Sequence, residues 1–80
     1  MTGEGQEGPT IVLWVIYEHP DDHPEGYVLR RWLMSGDSLQ PGAASRHATL
    51  DEAREALPPG VEPAPKTGIP EDPTIIEVWW

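Results

Sequence analysis

The apolar positions of this chain fall into three dense runs and one short periodic stretch. The densest run is "TIVLWVIYE", residues 10–18, β-branched or aromatic almost throughout, and it predicts a strand. Strand side chains alternate, so Ile11, Leu13, Val15 and Tyr17 share one face while Val12, Trp14 and Ile16 share the other. Both faces are apolar, which predicts a central strand covered on both sides. A second run, "GYVLRRWLM" at residues 26–34, predicts another strand. Its Arg30 and Arg31 point to opposite faces, and charge on each face suits the edge of a sheet. The third, "TIIEVWW" at residues 74–80, predicts a strand whose two tryptophans need burial.

Between the second and third strands the pattern changes period. Residues 35–48, "SGDSLQPGAASRHA", read as a polar loop. In "TLDEAREAL", residues 49–57, Leu50, Ala53 and Leu57 recur at helical spacing. Thr49 is a good N-cap with Glu52 three positions on, the two halves of a capping box. Asp51 and Glu52 suit the positive end of the helix dipole, and Pro58 and Pro59 stop the helix. Residues 58–73 hold six prolines, which predicts an extended connection that crosses the protein without forming a ladder. Residues 1–9, glycine-rich and acidic, carry too little apolar surface to offset their ordering entropy and read as a disordered tail.

The order strand, strand, helix, strand predicts an α+β fold over residues 10–80. The first two strands form an antiparallel hairpin. A right-handed crossover through the helix then sets the third strand parallel to the second, with the most apolar strand between them: a three-stranded sheet in the order 2-1-3 and one short helix on one face. The uncovered face of such a sheet is larger than soluble monomers usually expose. Either the proline-rich segment folds over it or another chain does, most simply a second copy packed face to face.

Composition narrows the function classes. The chain has 80 residues, enough for one modest core. Its formal net charge is −9, from 14 acidic against 5 basic residues. That balance argues against direct binding to nucleic acid or to an anionic membrane surface. It leaves a basic protein partner, or an acidic mimic of nucleic acid that occupies another protein's groove. Cysteine is absent, which excludes disulfides and thiolate chemistry and fits a cytoplasmic setting. The acidic N-terminal stretch does not read as a secretory signal.

The run "EHPDDHP", residues 18–24, concentrates the candidate chemistry. His19, Asp21 and His23 form a plausible ligand set for zinc or another first-row ion. Pro20 and Pro24 forbid the helix that would bring both histidines to one side, and the same residue types make an ordinary polar turn. His47 lies in a separate loop. Ser35, Ser38 and Ser45 carry no nucleophile motif, so no catalytic residue, cofactor or enzyme activity is expected. Arg and Trp dominate interface energetics, which marks Trp14, Arg30, Arg31, Trp32, Trp79 and Trp80 as candidate interface residues. The same tryptophans are equally at home in a small core.

Four motifs carry a resemblance: Ile16-Tyr17-x-His19-Pro20, Arg30-Arg31-Trp32, Thr49-Leu50-x-Glu52-Ala53-Arg54 and Asp72-Pro73-x-Ile75-x-Glu77-x-Trp79. With them the chain resembles a group of short bacterial hypothetical proteins. The resemblance runs from Trp14 to Trp80 and implies one intact domain, without bringing an activity, cofactor or catalytic residue. The expectation is therefore a small protein-binding module, homodimeric or bound to another protein. The alternatives are a metal- or small-ligand-binding domain using residues 18–24, and the acidic mimic.

Overall fold

A computed structural model describes residues 10–36, 38–65 and 72–80. The expected tail at 1–9, and residues 66–71 of the proline-rich connection, lie outside the described residues. The elements are β1 (Thr10–Glu18), β2 (Tyr27–Ser35), β3 (Ser38–His47), α1 (Leu50–Glu55) and β4 (Ile75–Trp79). They form one α+β unit with a four-stranded sheet in the order β3-β2-β1-β4. β1 pairs antiparallel with both β2 and β4.

The register assigns side chains to faces. Ile16 stands opposite Leu29, and Trp14 stands between Arg31 and Trp79. Ile16 and Leu29 pack with Ala53 of α1, and Trp14, Tyr27, Leu50, Leu57, Ile76 and Trp79 close around them. This is the helix side. The other face carries Leu13, Val15, Val28 and Val78, all buried. There Trp32 Nε1–H donates to the Tyr17 hydroxyl at 3.0 Å. Tyr17 faces Val28 and Trp32 faces Leu13, so the Val15–Arg30 pair lies between them in the register. The bonded pair thus spans Val15, which has no exposed surface. Burying a valine or isoleucine completely contributes roughly 1.5–3 kcal/mol, so Val15 and Ile16 anchor the two faces comparably.

The fourth strand corrects the expected three-stranded sheet, and β2 is an interior strand rather than an edge. Ser35 pairs with Ser38, and Gly36 takes φ +58, the left-handed backbone that two-residue hairpins require. β3 holds its place through backbone pairing, and most of its side chains face solvent. A register shift opposite Arg30–Trp32 puts an extra residue into β3 beside Pro41 and Gly42. Proline and bulges are tolerated on an edge strand, where an outward N–H is not needed. Arg30 is accommodated inside the sheet because its Nη1–H donates to the Gly42 carbonyl at 3.0 Å.

α1 is shorter than its apolar pattern but starts as predicted. Thr49 Oγ1 accepts from Glu52 N–H at 3.1 Å, and Glu52 Oε1 accepts from Ala48 N–H at 3.2 Å, one position before the usual capping-box partner. A helix this short depends on its packing. An Arg54–Glu77 ion pair ties it to β4, and Trp79 Nε1–H donates to Glu77 at 3.0 Å. No helix among the described residues is long and apolar enough to cross a membrane.

Part of the proline-rich connection does form a ladder, contrary to expectation. Glu62 and Trp80 exchange backbone hydrogen bonds of 2.8 and 2.9 Å, and Ala64 N–H donates to the Val78 carbonyl at 2.9 Å. Pro63 sits between the donors, so its missing N–H costs this pairing nothing.

Two substitutions test these assignments by urea denaturation. Thr49→Ala removes the cap and is expected to cost about 1 kcal/mol. Gly26→Ala would place a Cβ 2.5 Å from both His23 Nε2 and the His47 carbonyl oxygen. Because the second contact is backbone, the β2–β3 pairing has to shift, and a loss of about 1–3 kcal/mol is expected. An unchanged midpoint in either variant would contradict the corresponding contact.

Candidate functional site

The segment 18–26 connects β1 to β2 and is fastened at several points. Glu18 N–H donates to the Thr74 carbonyl at 2.7 Å, His19 N–H to Gly26 at 2.8 Å and His23 N–H to Pro20 at 2.9 Å. His19 takes φ 51, the left-handed region, unusual for a non-glycine residue. This bend turns its ring inward onto the loop. The imidazole lies 5.4 Å from the Tyr27 ring, centroid to centroid, and Nδ1 meets the Pro24 carbonyl at 2.8 Å. A carbonyl only accepts, so Nδ1 carries the proton.

The candidate metal set is therefore divided. His19 is engaged with Tyr27 and Pro24, whereas Asp21 lines a cleft bounded by Tyr17 and Val28 on the face away from the helix. Among the described residues no three His, Asp or Glu side chains are arranged to hold a metal ion. His47 is nearer this segment than the sequence indicated. It pairs with Tyr27, and its carbonyl stands against Gly26 beside His23. Its Nε2 lies 2.7 Å from Ser45 Oγ, a distance a nucleophile and base could share. His47 Nδ1, however, has no hydrogen-bond partner among the described residues to orient the ring, and the pair sits exposed on an edge strand.

The six candidate interface residues also separate. Trp14 and Trp79 pack around the helix-side core, and Arg31, opposite Trp14, shares their face. Arg30 and Trp32 occupy the other face. Alternation from Trp79 sends Trp80 to that second face, where it is 49% exposed.

What the fold does assemble on that second face is an open cleft of about 500 Å³. Tyr17, Val28 and Arg30 form its floor. Pro20, Asp21 and Asp22 of the connecting loop make one wall, and Asp72, Pro73 and Thr74 make another. The Glu18–Thr74 backbone bond fixes the two walls to each other. Asp72 Oδ1 accepts from Thr74 N–H at 2.9 Å and from the Thr74 hydroxyl at 2.7 Å. The Thr74 hydroxyl, and then its amide, hold the Asp72 carboxyl below its ordinary pKa.

Tyr17 lies between opposing influences. Burial raises its pKa above 10.0, the donated Trp32 bond and the Arg30 charge pull it down, and the Asp72 charge pushes it up. Burial prevails, so the phenol is a neutral hydrogen-bonding group at pH 7. Among the described residues the only ion pair is Arg54–Glu77. Arg30 and the aspartates of the cleft thus share one concavity without neutralising one another.

Comparison of the chain with protein-family models, with curated proteins and with solved structures gives no match.

Tyr17 supplies a pH test. A group whose folded pKa is raised contributes stability that is fully present below the unfolded value of 10.0. That stability is lost as pH rises through the folded value. Ultraviolet titration should show the phenol ionising above pH 10. In Trp32→Phe, which removes the donor that favours the phenolate, ionisation should occur at still higher pH. A Tyr17 transition at or below pH 10, or one unmoved by Trp32→Phe, would refute the assignment.

Proposed function

We propose that this protein works by binding another protein and performs no chemistry itself, with the cleft between residues 20–22 and 72–74 as its recognition surface. The observation that carries this reading is the set of charged side chains of both signs in one concavity, none in an ion pair among the described residues. Ion pairs between elements and helix caps account for charge in many small folds, and the solvent-exposed Arg54–Glu77 pair is of that kind. Arg30, Asp21 and Asp22 take part in no ion pair among the described residues. A cleft of about 500 Å³ is within the range that holds a ligand group. The net charge of −9 favours an electropositive partner and speeds encounter with it.

The case for a face-to-face dimer is weaker than the sequence made it. It needed an uncovered apolar sheet face, yet Leu13, Val15, Val28 and Val78 are buried on the face away from the helix. The partner is therefore a different protein.

Panning a displayed random-peptide library on the wild-type chain, with counter-selection on the Asp21→Asn/Asp22→Asn/Arg30→Gln variant, tests the proposal. The expected result is enrichment of peptides that shift the amide resonances of Tyr17, Val28 and Thr74 and bind the variant at least tenfold less tightly. Absence of enrichment, or shifts confined to the α1 side of the sheet, would overturn it.

A further inference from the structure

Resting on that reading, we infer that the cleft accepts a pair of opposite charges from its partner: a basic side chain with a carboxylate next to it. Arg30 is tethered through Nη1 to the Gly42 carbonyl of β3. This leaves its Nε–H and second nitrogen to offer the planar fork that matches a carboxylate. Asp72 is tethered to Thr74 through two bonds to one oxygen, and its other oxygen has no hydrogen-bond partner among the described residues. Asp21 and Asp22 belong to a turn closed by the His23–Pro20 backbone bond. Each charge is fixed by its own strand or turn, so the cationic and anionic groups do not collapse onto each other.

Tyr17 lines the same cleft. Arg30 and Asp72 are both close enough to act on its hydroxyl, in opposite senses. The cleft therefore sets one cationic group in its floor between two acidic walls, with a neutral phenol beside it. A purely anionic ligand entering it meets Asp21, Asp22 and Asp72, and a purely cationic one meets Arg30. A dipolar ligand meets an attractive partner at each end. Because the Arg30 and Asp72 side chains are held in place before binding, little further ordering of them is required, and that favours affinity.

Three capped tetrapeptides test this: Ac-Gly-Arg-Asp-Gly-NH2, its citrulline analogue lacking the positive charge, and its asparagine analogue lacking the negative one. Binding is read from amide shifts of Tyr17, Val28 and Thr74 at low salt. The parent peptide is expected to bind about three- to tenfold more tightly than either analogue, as suits charged contacts in an open cleft. The Asp21→Asn/Asp22→Asn variant should lose most of the preference for arginine over citrulline and keep that for aspartate over asparagine. Arg30→Gln should do the reverse, both variants being checked for an otherwise unchanged amide spectrum. Equal affinity of the three peptides, or preferences that survive in both variants, would overturn the inference. If these tetrapeptides fail while panned peptides without the charge pair bind at the cleft, the inference falls and the binding reading stands. If neither kind binds, both fall.

Discussion

Adjacent residues Val15 and Ile16 point to opposite faces of β1, and neither exposes any surface. Burying both at once requires neighbours on each edge of the strand and a cover on each face. β2 and β4 supply the edges. α1 covers one face with Leu50 and Ala53, and Leu57 just beyond the helix adds to that cover. On the other face the Tyr17–Trp32 hydrogen bond spans the strand pair. The cleft exists because that second cover is made of long side chains rather than a helix. Tyr17 leans toward Trp32, and the floor between the two turns is left to Val28 and Arg30.

The parts of the fold that were legible in sequence are those where side chains do the folding. β1 is recognisable by its two-sided apolar run, β2 and β4 by their aromatic and branched residues, and α1 by Thr49 and Glu52. β3 was illegible for the opposite reason. Its backbone is paired but its side chains are mostly solvated, so "SLQPGAASRH" shows neither alternation nor apolar density. The usable signal lay just before it, in the glycine of "SGDS" that opens a tight hairpin. Missing β3 also made β2 look like an edge, since the contact that accommodates Arg30 comes from Gly42 on the missed strand.

The site was legible by halves. Asp21 and Asp22 stand out in "EHPDDHP" and do line the cleft, whereas the histidines that make the motif look metal-binding are directed elsewhere. His19 is turned by a left-handed backbone that its residue type does not announce. Tyr17, Arg30 and Asp72 come from segments that read as core strand, edge strand and linker. Only the antiparallel pairing of β1 with β4, together with the Glu18–Thr74 bond, brings Asp72 beside Asp21. A constellation assembled from separate stretches of chain leaves no local spacing to read.

The β1–β4 pairing also bears on how the molecule folds. Trp14 meets Trp79 across this ladder, so the central strand acquires one of its two edges from the far end of the described chain. The β1–β2 and β2–β3 hairpins are local and close early at small entropic cost, while β4 pairs with β1 across most of the length of the chain. Until it does, one edge of the most apolar strand is bare and able to pair with the same strand of another molecule. The kinetic hazard of this fold is thus concentrated in a single late event, the docking of β4.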